Sequence, residues 1–488
     1  MARAAATALS AAAVGWAVLF HGLGWTALQR EAGGGCGGSN CPQGLPSVLI
    51  LAFALTFGGI VAFVATGTSV AGALTGRTVR VLALTGLLAG LWPGWLGYQW
   101  LRGEHLERAW QVPKDTPDTV EGLGSWPVGD TVVRVRTDGL TAYAARDGKE
   151  LWTLPAPARQ SVCALSPRAE RGLGVVGFAG HDKPCTTAAA VDLGTGKIRW
   201  QQPVDGAARR TTAALALSAT TAVVAEQRTV RGLSAEAGQE QWKRESAQGC
   251  APLGAEAAGG RVLMLEECRT PGAATTAATR LLSLDARTGA QLWEGALPVE
   301  TPAKAFAVLS VEPAVVSFWE SDPRGTAAVL SYDGQGRGRA VIPLSGKDGT
   351  LLLGTDRYVD VGRPAPLAAV VGDTLVTAVQ APGRTESAGL AGYSLADGKR
   401  VWAKSLGEKP AALTATAGAR LSVLGERRLW TLDGRTGKDS AERVAIRGNG
   451  RYWHSGWSES AGLWPVEGGY VVVNSGSTSE HPLYGLRR

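Results

Sequence analysis

Three kinds of side chain in this 488-residue sequence could do chemistry: histidines, cysteines and one knot of aromatic rings. The five histidines, His21, His105, His181, His454 and His481, are scattered, with no pair at metal-ligand spacing. Gly456-Trp457-Ser458-Glu459-Ser460 departs from the Gly-x-Ser-x-Gly elbow of serine hydrolases, and no phosphate-cradling loop is present. The six cysteines fall into three local pairs, Cys36 with Cys41, Cys163 with Cys185 and Cys250 with Cys268, separated by 5, 22 and 18 residues. An even count in sequential pairs suits three disulfides in an oxidising compartment; the alternative is six small buried hydrophobes. Tyr452, Trp453, His454 and Trp457 lie together in a long connection. They read either as a surface that anchors a ligand or, the reading we prefer, as rings covering a seam between sheets.

The chain that carries these residues is uneven. Its 49 Lys and Arg against 42 Asp and Glu leave a formal net charge of +7. Residues 1–101 hold four arginines (Arg3, Arg30, Arg77, Arg80) and one acid (Glu31), a net +3, so the remaining 387 residues carry 45 basic and 41 acidic side chains, a net +4. No run of Lys and Arg interleaves with aromatics, so the basic stripe that nucleic acid demands is missing and nucleic acid is not an expected partner. The 66 glycines without a collagen period point to a turn-rich β fold.

Three apolar stretches, about 4–28, 46–66 and 81–101, are each long enough at ~1.5 Å per residue to cross a hydrocarbon core of roughly 30 Å. The first is longer than the apolar part of a cleaved leader and two more follow it, so three retained membrane helices are expected, with the lipid bilayer as a partner. Trp92, Trp95, Tyr98 and Trp100 close the third span with rings that settle at a membrane–water boundary, and Pro93 is expected to kink it. Three crossings put residues 29–45 and everything after 101 on one side, the side of all six cysteines. Paired cysteines and the isolated Arg3, Arg77 and Arg80 both favour a cytoplasmic N-terminus, with residues 102–488 outside the cell membrane.

From residue 131 onward one unit recurs: an apolar strand, a tight Gly-containing turn, then a strand bearing Trp. Its copies end at Trp152, Trp200, Trp242, Trp293 and Trp402; two copies, at Asp333-Gly334 and Asp433-Gly434-Arg435-Thr436-Gly437, keep the turn and lose the Trp. Alternating apolar residues make a half-buried strand, Asp with Thr-Gly closes a hairpin, and the Trp offers each sheet a flat face for its neighbour. Successive Trp lie 48, 42 and 51 residues apart, which suits four-stranded propeller blades and excludes 34-residue helical repeats. Arg108-Ala109-Trp110-Gln111-Val112-Pro113 repeats the Trp strand 42 residues before Trp152, while the C-terminus supplies three strands and no Trp strand. Segment 108–113 is therefore expected to complete the last blade. The predicted architecture is an all-β propeller of eight four-stranded antiparallel blades over 102–488, preceded by three transmembrane α-helices in 1–101, with Trp110, Trp152, Trp200, Trp242, Trp293 and Trp402 docking blade on blade.

Asp192 to Trp200 and Asp285 to Trp293 match an Asp-x-x-Thr-Gly-Lys pattern followed by a docking Trp most fully; on these the sequence resembles the PQQ-like β-propeller repeat family over about 102–488. The resemblance implies the fold and leaves activity open, because one fold hosts many functions. The family includes dehydrogenases that bind pyrroloquinoline quinone with calcium, some of them behind N-terminal membrane helices, and non-catalytic relatives that bind proteins or act as sensors. The enzymes set a disulfide between adjacent cysteines against the quinone and an Asp base beside calcium. No two cysteines here are adjacent, and no segment matches the calcium ligands or that Asp. The expectation is accordingly a membrane-anchored extracytoplasmic binding or scaffold module for a protein or cell-envelope ligand, with no catalytic residue, cofactor or metal. The alternatives are a membrane-bound dehydrogenase using quinone and calcium, or a ligand sensor working with a membrane partner.

Overall fold

The computed structural model describes residues 2–32, 44–70, 76–103, 105–117, 120–180, 183–206, 214–269, 277–354, 367–382, 388–441, 443–447, 461–474 and 481–488. The chain divides into two compact units, Met1–Glu107 with Val444–Gly450 and Arg488, and Arg108–Arg443 with Arg451–Arg487.

The first unit is built on three helices, α1 (Ala2–Ala32), α2 (Leu45–Val70) and α3 (Gly76–Arg102), the last continuing through Pro93. Within them Ala8–Gln29, Leu45–Ala62 and Arg80–Arg102 are long and apolar enough to cross a membrane, by length and composition. Both α2 and α3 pack on α1. Small residues make the α1–α3 contact: a Cβ on Gly90 would lie 2.6 Å from the Ala12 carbonyl oxygen, and one on Gly15 would lie 2.7 Å from that of Leu87. Close backbone approach at small residues is what brings these two helices together. On α2, Thr56 Oγ1 meets His21 Nε2 of α1 at 3.2 Å, and the imidazole stands edge-on to Phe53. In the same unit, His105–Glu107 pair in parallel with Ala445–Arg447.

The second unit is all β. Four-stranded antiparallel meanders follow one another in chain order: sheet 1 (122–155), sheet 2 (160–203), sheet 3 (215–245), sheet 4 (250–296) and sheet 5 (303–343). Sheet 6 (345–405) departs from the four-strand unit expected from the sequence. Its first strand comes in two pieces, Gly349–Leu352 and Ala368–Val371, laid end to end along the same edge of Thr374–Gln380, and a two-residue strand, Ser345–Gly346, is added outside. A meander of Pro410–Ala415, Arg420–Gly425 and Arg428–Asp433 comes next, then a terminal sheet of Ala461–Val466, Gly469–Asn474 and Leu483–Arg487. The strand beside Leu483–Arg487 is His105–Gln111, from the other end of the chain. Val112 extends this pairing, its N–H donating to the Leu483 carbonyl at 3.0 Å.

First strands lie against first strands from sheet 1 to sheet 4, then from sheet 5 through sheet 6, the meander and the terminal sheet, which lies against sheet 1. The sheets therefore converge on their first strands and stack face on face. The second strands show it in their composition: Val132–Val135, Leu173–Ala179 and Thr221–Ala225 are buried throughout, because both faces of each sheet are covered. Fourth strands lie at the opposite edge, and their burial alternates around the Trp.

Each fourth-strand Trp meets the turn of the following sheet. A Cβ on Gly196 would fall 2.6 Å from the Trp152 ring, and Gly238 and Gly289 stand equally close to Trp200 and Trp242. Gly336 faces Trp293, Gly437 faces Trp402 and Gly148 faces Trp110 in the same way. At Gly196 and Gly289 the backbone also needs φ of 71° and 69°, so steric space and conformation both demand glycine there. The indole N–H groups of Trp200 and Trp242 donate to the Ala235 and Ala286 carbonyls at 2.8 and 2.9 Å, Trp152 and Trp402 to Leu193 and Gly434 at 3.2 Å. Trp293 instead stacks on Tyr332, its ring 6.3 Å away. The turns are preset locally: Asp192 Oδ1 accepts from the Thr195 N–H and hydroxyl, both at 2.9 Å, and Asp285 treats Thr288 alike.

The chain ends meet at one seam. Trp110 packs on Gly485 as well as Gly148, and with Tyr143, Val471 and Leu483 it belongs to a single apolar cluster. Trp464 Nε1 donates to Ser125 Oγ at 2.9 Å, and Trp126, on the equivalent strand of sheet 1, donates to the Ser166 carbonyl at 2.8 Å. Asp115 lies between Arg134 Nη2 and Arg136 Nη1, each at 2.6 Å, and Arg134 also reaches the Asn474 carbonyl at 3.4 Å.

Two predictions follow from these contacts. Trp200→Ala should lower stability by about 3–5 kcal/mol in denaturant unfolding of the detergent-solubilised chain, and the more exposed Trp152→Ala by less. Gly90→Ile should separate α1 from α3 and raise the protease sensitivity of 1–103 in detergent, whereas Gly22→Ile, at a position with no atom nearby, should not.

Candidate functional site

Antiparallel alternation gives the stacked sheets two distinct ends. The Asp-Thr-Gly turns, between third and fourth strands, emerge at one end; the links between sheets and the connections between second and third strands emerge at the other. Both described disulfides lie at the link end. Cys163, on the first strand of sheet 2, bonds Cys185 just before the third strand, and Cys250 bonds Cys268 directly across the first two strands of sheet 4. The expected pair Cys36–Cys41 and the candidate ligand surface Tyr452, Trp453, His454 and Trp457 lie outside the described residues.

A set of carboxylates at the ends of second strands occupies the same end. Glu226 accepts from the Asp205 N–H at 3.1 Å, the Thr229 hydroxyl at 2.6 Å and Arg231 Nη2 at 2.6 Å. Glu267 accepts from the Ala303 N–H at 3.1 Å and Arg269 at 3.0 Å. Glu320 takes the N–H groups of Glu300 and Thr301 at 2.8 and 2.7 Å, the Thr301 hydroxyl, and the N–H of Thr326. In each case a second-strand acid grips the chain that links one sheet to the next. None of these acids is among the expected site residues, although a signal is present in the sequence: Glu at or near the end of an apolar second strand in three successive units, at Ala225-Glu226, Glu266-Glu267 and Trp319-Glu320.

Among the described residues one group has metal-type donors close together: Cys250, Glu266 and Cys268. The two sulfurs are bonded to each other, and Glu266 is held by Arg280 Nη2 at 2.5 Å, so the group is already spent on protein contacts.

Burial and donor supply separate the carboxylates electrostatically. Burial would raise Glu320, but the N–H groups of Thr326, Thr301 and Glu300 outweigh it and hold the acid at about 2. Glu256 and Glu408 go the other way: burial pushes each to about 7, only partly countered by Arg168 and the Ala257 N–H at Glu256 and by Arg428 and the Arg427 N–H at Glu408. One oxygen of each, Oε1, has no hydrogen-bond partner. Between pH ~4.5 and 7 these two acids hold a proton in the folded chain that the unfolded chain has released, so folding stability falls as pH rises through that window. Glu320 contributes stability above pH ~4.5 that is lost as pH falls toward 2. Glu256→Gln and Glu408→Gln should therefore each flatten the decline between pH 5 and 7.5, by up to about 3 kcal/mol per site, in chemical unfolding followed against pH.

The PQQ_2 family, described as outer membrane protein assembly factor BamB, matches at residues 107–248, 185–337 and 226–422. No curated protein sequence matches the chain. Among solved structures, quinohemoprotein alcohol dehydrogenase ADHIIG from Pseudomonas putida HK5 is similar at 12% identity and a TM-score of 0.45, over 78% of this chain and 75% of that one. The quinohemoprotein alcohol dehydrogenase of Comamonas testosteroni is similar at 10% identity and 0.44, over 79% and 76%. Saccharomyces cerevisiae Sqt1 is similar at 12% identity and 0.45, over 79% and 99%. The family matches together run unbroken from residue 107 to 422 and take in the docking Trp from Trp110 to Trp402 with the turns at Asp192 and Asp285. The chain belongs to the PQQ_2 family of PQQ-like β-propeller repeat proteins.

Proposed function

We propose that the protein is a membrane-anchored, extracytoplasmic eight-bladed propeller that works as a binding or scaffold module for a protein or cell-envelope ligand. In this reading six sheets, the 410–433 meander and the terminal sheet are the eight blades, and His105–Gln111 is the strand that closes the ring. The family match over 107–422, to a family described as an assembly factor, is the observation that carries the proposal. The three apolar helices supply the anchor, and the two disulfides favour an oxidising compartment for the propeller. Ligand contact is assigned to the link end, where the longer connections emerge, because the opposite end is occupied by tight hairpin turns already engaged with Trp.

Quinone with calcium is the group the fold family brings to mind, and the described residues fit it poorly. Both described cysteine pairs join strands and neither is adjacent in sequence, while Asp115, Glu226, Glu267 and Glu320 already hold guanidinium or N–H donors.

Photo-crosslinking in intact cells tests the reading. A crosslinking residue at Arg324 or Lys183, on the link end, should yield discrete adducts, whereas one at Lys197 or Arg287, in the Asp-Thr-Gly turns, should not. Dye-linked dehydrogenase activity on adding pyrroloquinoline quinone and calcium to the purified protein would overturn it. Alkylation of the cysteines in intact cells without prior reduction would count against the disulfides, on which the extracytoplasmic placement leans.

A further inference from the structure

We infer that two copies of this chain associate in the membrane through α1, joined by reciprocal hydrogen bonds from the Trp25 indole of each copy to the His21 imidazole of the other. The inference goes beyond the binding function proposed above and takes from it only that α1 crosses a membrane.

Apart from the arginines that end the third span, His21 is the one Asp, Glu, Lys, Arg or His in the spans Ala8–Gln29, Leu45–Ala62 and Arg80–Arg102. It lies eight residues before Gln29, ~12 Å into the span at ~1.5 Å per residue. Its hydrogen bonding is set by its neighbour. Thr56 Oγ1 donates its one proton to the Ala52 carbonyl at 2.8 Å, so at 3.2 Å it accepts from His21 Nε2. A neutral imidazole has one donor and one acceptor nitrogen, so Nδ1 is left as the acceptor, and no described residue donates to it. The ring is only partly buried and stands edge-on to Phe53, itself half-exposed on α2. Hydrocarbon supplies no water to such an atom, so its donor has to come from another molecule in the membrane.

The exposed side of α1 carries that donor. Val18, Gly22, Trp25 and Gln29 form an exposed line, spaced 4, 3 and 4 residues apart, the spacing at which two parallel helices seam together. Val18 is 62% exposed and Trp25 47%, and a Cβ on Gly22 would meet nothing within 4 Å. The other helices occupy other sides of α1, α2 at Gly24 and α3 at Gly15. Trp25 follows His21 by one turn, and helical side chains lean toward the N-terminus, which brings the indole to the level of residues 21 and 22. Two copies inserted alike run parallel and hold these residues at equal depth, so each has the N–H that the other's Nδ1 lacks. Glycine at position 22 lets the two backbones approach closely enough for such bonds. A helix of another protein would match this depth only by coincidence; a second copy matches it by construction.

Energy transfer between donor-labelled and acceptor-labelled full chains in phosphatidylcholine vesicles, measured as the protein is diluted with lipid, tests the pairing. Trp25→Phe, which keeps a ring and loses the N–H, should weaken association about tenfold, and His21→Leu should do the same. His21→Asn, which keeps an acceptor near the Nδ1 position, should restore most of it, and the double variant Trp25→Phe with His21→Leu should be no weaker than either single one. On mild oxidation Gly22→Cys should give a covalent dimer, and Leu88→Cys, exposed on α3, should not. Trp25 is half-exposed and forms no hydrogen bond among the described residues, so its variant keeps the test decisive if the His21 variants are unstable. Vesicle-bound chains that stay monomeric, or that associate equally with Trp25→Phe, would overturn the inference and leave the ligand-binding function standing. A chain stripped from the vesicles by alkaline carbonate would overturn the membrane anchor and this inference with it.

Discussion

The structure depends on one contact made over and over: an indole ring laid against a glycine in the neighbouring sheet's hairpin. The glycine must lack a side chain so that the ring can approach, and it must also take a positive φ so that the hairpin can turn. Each sheet thereby depends on its successor, since a single four-stranded sheet has two apolar faces and can cover neither alone. The consequence runs through the composition. Second strands become buried along most of their length, burial alternates along the outer edge, and glycine becomes the most telling residue in the chain.

This dependence explains why so much of the architecture was legible and where legibility stopped. The Trp intervals, the Asp-Thr-Gly turns and the displaced copy at Trp110 are local patterns with fixed offsets, so spacing alone could read them. The disulfides Cys163–Cys185 and Cys250–Cys268 were legible for the same reason, each pair flanking one hairpin. The divided first strand of sheet 6 was not, because two short apolar pieces look like two strands until a shared edge shows them to be one. The role of the second-strand acids was also hidden. A Glu ending an apolar run reads as ordinary surface until the N–H groups it holds, from a link many residues away, come into view.

Function is less legible than fold because the repeat is structural chemistry. The residues that announce the family, Trp, Asp, Thr and Gly, are all consumed in holding sheet to sheet. What remains for a ligand lies in irregular positions, which the repeat does not mark.

The pairing of Val112 with Leu483 has a temporal side. The strand that completes the terminal sheet is among the first parts of the second unit to leave the ribosome, and its partner is among the last. Until then Trp110 has neither Gly485 beneath it nor a finished sheet around it, and the strand must wait as an exposed, hydrogen-bond-hungry edge while every intervening sheet forms. Contacts of such sequence separation are the slowest a chain can make. Pairing across so long a separation makes the joining of these two segments slow relative to the local hairpins, and Trp110 is uncovered for that interval.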